Sequence, residues 1–177
     1  MKTELQQKLL NKYPQFFSTN IKIYTGEKPM IEELKELVKQ KEMVLPIQFG
    51  FECGDGWYML LDTLMDDIAN HLKWKNEDRE KKGGSPLIVQ VNQIKEKFGG
   101  LSFYFSGGDE VIWGMITLAE SLSYKICETC GTTLNVGRTR GWIYTCCKDC
   151  YDKNDRAKNM SWKPIGERFD EDNKNLN

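Results

Sequence analysis

Apolar residues recur every three or four positions in four stretches of the chain and every second position in one, and this change of period lays out the fold. Between Thr3 and Tyr13, Leu5, Leu9 and Leu10 share one side of a short helix that Pro14 closes. In "KPMIEELKELVKQKEM", Pro29 suits a first helical turn, and Ile31, Leu34, Leu37 and Val38 follow at helical spacing. "WYMLLDTLMDDIANHLKW" sets Trp57, Leu60, Leu61, Leu64, Ile68 and Leu72 on one stripe of a long core helix, with Asp55 as a cap near its start. A second core helix begins at the capping Asp109 and carries Ile112, Met115, Ile116, Ala119 and Leu122.

Between the two core helices the period drops to two. "LIVQVNQIKEKFGGLSFYFSGGD" reads as a β-hairpin turned at Gly99-Gly100, with Leu101, Phe103 and Phe105 on the core side. The preceding "KNEDREKKGGSP", with five cations from Lys73 to Lys82 beside Glu77, Asp78 and Glu80, reads as a solvated loop over 73–86. The expected class is α+β: amphipathic helices on a small antiparallel hairpin or sheet, followed by a cysteine-rich lobe. Residues 1–124 form the core in this reading, 125–160 the lobe, and 161–177 a polar tail on which Trp162, Ile165 and Phe169 are the groups able to dock.

Composition narrows the function. A chain of 177 residues that is 40% hydrophobic supports one core rather than two. Lys plus Arg number 25 against 26 Asp plus Glu, a net charge of -1, so the chain is neither a polycation that coats DNA nor an acidic mimic of it. The first residues are too polar for a secretory signal and no run approaches the roughly 18 apolar residues of a membrane helix. The expected compartment is the cytoplasm, where six cysteines serve as metal ligands or buried thiols rather than disulfides.

Four of those cysteines carry the strongest signal. In "CETCGTTLNVGRTRGWIYTCCKDC", Cys127 and Cys130 form one C-x2-C pair and Cys147 and Cys150 another, with sixteen residues between them, the spacing of a zinc ribbon. Cys146 competes for the third position, but only Cys147 keeps the two-residue spacing. Four thiolates close the coordination shell of a structural Zn2+ ion, leaving no position for water or substrate. Between the pairs, Arg138, Arg140, Trp142 and Tyr144 interleave basic and aromatic groups, as surfaces that stack on bases or anchor a protein partner do. The lobe's charge, after four thiolates and one zinc, is small, so phosphate-driven nucleic-acid binding is expected to be weak.

Two further constellations carry less. In "FECGDGW", Cys53 could act as a nucleophile only with a nearby base, and the chain's one histidine, His71, falls turns away on the following helix. A buried Cys53 within a tight Gly-Asp-Gly turn is the simpler reading. Asp62, Asp66 and Asp67 could offer oxygen ligands to magnesium, but they sit on the polar side of that helix, where solvation is the default.

Taken in order and with their spacing, "FECGDGWYMLLDTL", "IKEKFGGLSFYF" and "CETCG…GWIYTCCKDC" resemble a family of small phage and prophage zinc-ribbon proteins, over about Phe51 to Tyr151. The resemblance implies Cys127, Cys130, Cys147 and Cys150 as zinc ligands. The chain is also similar to zinc-containing type II-A anti-CRISPR proteins, which implies a non-enzymatic inhibitor in the host cytoplasm whose partner is a type II CRISPR effector nuclease. The alternative expectation is a nucleic-acid-binding zinc-ribbon regulator of phage origin.

Overall fold

The computed structural model of the protein describes residues 1–17, 46–155 and 159–167. The helix expected around Ile31, Leu34, Leu37 and Val38, and the expected docking of Phe169, lie outside the described residues. Four helices are described: α1 (Thr3–Lys12), α2 (Tyr58–Lys81), α3 (Glu110–Ser123) and α4 (Lys148–Asp152). Six strands, β1 (Phe51–Glu52), β2 (Val89–Lys97), β3 (Gly100–Gly107), β4 (Val136–Thr139), β5 (Thr145–Cys147) and β6 (Trp162–Pro164), make two three-stranded sheets. The fold is α+β, with the cysteine-rich lobe near the C-terminal end.

In the core lobe, β2 and β3 pair antiparallel from Val89↔Gly107 to Lys97↔Gly100. The turn between them centres on Phe98 and Gly99, with φ of 53° and 80°. Two successive left-handed residues are what the tightest hairpin turn demands, so Gly100 belongs to the strand and the turn falls one residue earlier than the Gly-Gly pair indicates. A bulge between Val91 and Gln93 keeps both Val91 and Ile94 on the buried face. The sheet is also wider than a hairpin. Phe51 and Glu52 pair parallel with Ile94 and Lys95, adding the short edge strand β1.

The two long helices lie against this sheet and run antiparallel to each other. The Trp57 ring N–H donates to the Ile126 carbonyl at 3.1 Å, tying the start of α2 to the end of α3. At the other end, His71 Nε2 meets Asp109 at 2.9 Å, where Asp109 also caps α3 by accepting from the Ile112 N–H at 3.2 Å. Trp57 just before α2, Leu61, Leu64, Met65, Ile68 and Leu72 of α2, and Ile112, Ile116 and Ala119 of α3 are buried with Val91, Ile94 and Phe103 of the sheet in one apolar cluster. From α1, Leu9 joins them. Gln6 is buried too, because its Oε1 accepts from the Phe51 N–H at 2.9 Å and its Nε2 donates to the Met1 carbonyl at 2.6 Å.

The charged run after Trp74 is helical to Lys81 and not a loop. Lys, Glu and Arg are sound helix formers, and the Asp78–Lys82 pair at 2.7 Å is one turn apart, so a solvated sequence still propagates a helix nucleated by its buried first half. The helix stops at Gly83, with φ of 69°. Asp55 does not cap α2. Its carboxylate instead accepts from the Lys2 backbone N–H at 2.7 Å and faces the Lys2 ammonium at 3.2 Å.

Candidate metal centre and its junction with the core

The ribbon sheet has the order β5-β4-β6, antiparallel throughout. β4 and β5 set Val136 opposite Cys147, and β6 pairs Trp162 with Thr139, so the ribbon continues through residues counted with the tail. Gly137 makes room for this: a side-chain carbon there would stand 2.4 Å from the Trp162 ring. Trp162 then covers the sheet, donating its ring N–H to the Cys146 carbonyl at 3.1 Å.

Two knuckles deliver the sulfurs. In the first, the Gly131 N–H donates to the Cys127 carbonyl and the Cys127 N–H to the Thr132 carbonyl, each at 2.8 Å, with Gly131 turned to a φ of 80°. In the second, β5 runs into α4 at Cys147, whose sulfur accepts from the Cys150 N–H at 3.4 Å. The sulfurs of Cys127, Cys130, Cys147 and Cys150 all lie within 4.8 Å of one another, and those of Cys130 and Cys147 are 3.7 Å apart. Four sulfurs bound tetrahedrally at about 2.3 Å stand roughly 3.8 Å from each other, so the cluster fits a metal ion. Burial raises the Cys127 thiol, but backbone N–H donors from Cys147, Cys130 and Thr129 outweigh it and bring it down to about 7, which favours the thiolate that a metal needs.

Cys146, fully buried beside the cluster, is not part of it. Burial pushes its thiol up to about 11. The same effect raises Cys53 to about 12, and His71 is engaged with Asp109. Asp62 accepts from the Lys12 ammonium and the Tyr13 hydroxyl, each at 2.8 Å, and Asp66 lies 3.9 Å from the same ammonium. Among the described residues, the four cysteines are the cluster suited to a metal.

The three sequence motifs meet at one junction. The Gly56 N–H donates to the Glu128 carbonyl and the Gly54 N–H to the Glu128 carboxylate, each at 2.8 Å, which seats the 54–57 turn on the first knuckle. A side-chain carbon at Gly56 would stand 2.2 Å from the Cys127 carbonyl oxygen and 2.4 Å from the Gly131 nitrogen. On the ribbon's other side, Thr145 Oγ1 donates to the Gly99 carbonyl at 2.6 Å and Arg138 Nη2 to the Phe98 carbonyl at 3.0 Å, clamping the hairpin turn. Burial, reinforced by the charge of Glu96, raises the Glu128 carboxyl. Neither Glu128 nor the hairpin turn stands out in the sequence as part of the site, because each joins it through contacts distant in the chain.

The residues expected to contact a partner fall on two faces. Trp142, 72% exposed, and Tyr144 line a cleft of about 850 Å3 with Asp55, Glu96 and Glu128. Tyr144 is half-buried, and its hydroxyl accepts from Asn154 at 3.2 Å. Arg138 and Arg140 line a separate groove of about 400 Å3 with Tyr124, Ile143 and Lys163. Arg138 lies over the Tyr124 ring at 5.2 Å, and its Nε is buried without a hydrogen-bond partner among the described residues.

No family model, curated protein or solved structure matches the chain. Among the described residues, no helix is long and apolar enough to cross a membrane.

Proposed function

We propose that this chain is a non-enzymatic, zinc-stapled inhibitor of phage type, which binds a type II CRISPR effector nuclease and blocks DNA targeting by occupying a protein surface. The observation that carries the reading is the ribbon's construction. A four-sulfur centre braced against two core turns presents Trp142 and the groove arginines on a rigid mount, and aromatic and arginine side chains so displayed are the usual anchors of protein interfaces. The near-neutral chain charge favours such mixed contact over mimicry of DNA. The nuclease as target follows from the likeness of the three motifs. Zinc is the ion: four thiolates form its commonest structural shell, which once closed leaves no place for a substrate.

The test is target-DNA cleavage by a type II CRISPR nuclease and its guide, with and without the protein. Dose-dependent inhibition that weakens at least tenfold with Trp142→Ala is expected, and undiminished cleavage at excess protein sinks the reading.

A second reading, a nucleic-acid-binding ribbon, is favoured by one observation. The groove lined by Arg138 and Arg140 also carries Lys163, a concentration of cationic side chains on one face of the ribbon. It predicts a gel shift with DNA alone that disappears between low and physiological salt, whereas the protein-binding reading predicts no such shift.

A further inference from the structure

Among the described residues, helix α3 buries one face and leaves another apolar face uncovered. Val111 is 49% exposed, Leu118 61% and Leu122 39%, and Met115 lies half-buried between them. Their spacing of four, three and four residues is that of the seam by which one helix packs along another. Over 14 residues α3 carries only Glu110 and Glu120 as charges, and Glu120 is turned away to accept from the Phe103 N–H at 2.8 Å. Beside the seam sits Gly114, in mid-helix, where an added side-chain carbon would meet nothing within 4 Å. A glycine there weakens the helix, and nothing among the described residues requires it. A close approach by another backbone would.

We propose that this seam is covered by the same seam of a second copy of this chain, packed antiparallel about a two-fold axis. Antiparallel pairing about the helix centre sets Val111 against Leu122 of the second copy and Met115 against Leu118, so large faces small at the ends and the middle is filled evenly. The flank holding Gly114 and Ser121 meets its own copy, and small residues there let the helices come close. On that same flank lie exposed Glu110 at one end of α3 and exposed Lys125 two residues beyond the other. Two-fold pairing brings each Glu110 beside Lys125 of the other copy, twice over. The seam is thus complementary to itself in spacing, size and charge, which a seam meant for a foreign helix need not be. The inference stands apart from the proposed function, since it concerns the core lobe and holds whatever the ribbon binds.

A helix of this length, about 21 Å, covers less than the roughly 800 Å2 per partner of a standard stable interface, so a weak dimer that dissociates on dilution in the micromolar range is expected. Sedimentation of the full chain over a concentration series is the test. The expected result is a concentration-dependent rise towards twice the monomer mass. Leu118→Glu is expected to abolish it while leaving the far-UV spectrum unchanged, because Leu118 is exposed in the monomer. Glu110→Lys sets like charges together and is expected to weaken the dimer at least tenfold. Adding Lys125→Glu to it restores the pairing with its signs exchanged and is expected to recover most of that loss. A wild-type chain that stays monomeric at about 100 µM overturns the proposal. A dimer indifferent to Leu118→Glu, or a charge swap that fails to rescue, overturns it equally.

Discussion

The two lobes are held by different physics. The core buries large apolar side chains in one cluster running from Leu9 through Trp57 and Ile94 to Ala119, and hydrophobic burial is enough to fold it. Among the described residues, the ribbon buries only Cys127, Val136, Cys146 and Cys147 in its cluster, with Tyr144, Cys150, Tyr151 and Trp162 partly buried against it, much less apolar surface than the core has to offset the entropy of ordering its strands. With the proposed zinc bound, ligand bonds would supply the difference; in structural zinc sites they contribute on the order of 10–16 kcal/mol. Removing the metal with a strong chelator, or replacing a ligand by Cys150→Ser, should therefore be the most damaging change. Hydrogen exchange followed by mass spectrometry should show amides of β4, β5 and α4 losing protection while α2 and the middle of β2 keep theirs. Retained protection in the ribbon without metal would overturn the division.

The next largest effect tests the other side. Trp57 is fully buried and its ring N–H is spent on the Ile126 carbonyl, so Trp57→Ala removes a large apolar group and leaves that carbonyl unpaired. A loss of about 3–5 kcal/mol in denaturant unfolding is expected, with the core cooperativity reduced. The zinc proposed for the ribbon should stay bound at low denaturant, because no candidate ligand has been touched. Release of zinc from the folded variant would show that the lobes are not separable.

Gly56→Ala probes the seam between them. The added carbon would collide with backbone atoms of the first knuckle, which cannot swing aside as a side-chain tip can. A cost of about 1–3 kcal/mol is expected, felt by both lobes, with zinc affinity falling roughly 10–100-fold as the support of the ligands shifts. Competition with a chromophoric chelator measures it, and unchanged affinity would make the junction mere contact.

The core was largely legible because its signals are periodic. The burial of Leu61, Leu64, Ile68 and Leu72, the Asp109 cap and the alternation of Leu101 and Phe103 follow from spacing alone. The cysteine cluster was legible because two C-x2-C pairs leave little choice. What escaped reading depends on contacts distant in sequence. Asp55 looks like a cap until Lys2 takes it, and Gln6 looks solvated until the Phe51 N–H needs a partner. The charged end of α2 looks like a loop because composition hides the propagation of a helix already begun. Tyr124 could not be linked to Arg138, nor Glu128 to Gly54, from a chain in which they lie 14 and 74 residues apart, by the numbering.

The smallest effect concerns how α1 is fastened to the core. Burial raises the Asp62 carboxyl, but hydrogen bonds from Lys12 and Tyr13 outweigh it and hold it below its ordinary value. A depressed folded-state pKa contributes stability that is fully present above the unfolded value, near 3.9, and is lost as pH falls through the folded one. Asp62→Asn removes that contribution, so wild type should melt higher than the variant at pH 7, by on the order of one to three degrees, and the gap should close towards pH 3. Thiolates in the ribbon also take up protons in acid and loosen the metal, but they do so in both proteins, and the difference between the two melting curves cancels them. A gap that persists unchanged at pH 3 would mean that Asp62 acts through packing rather than charge.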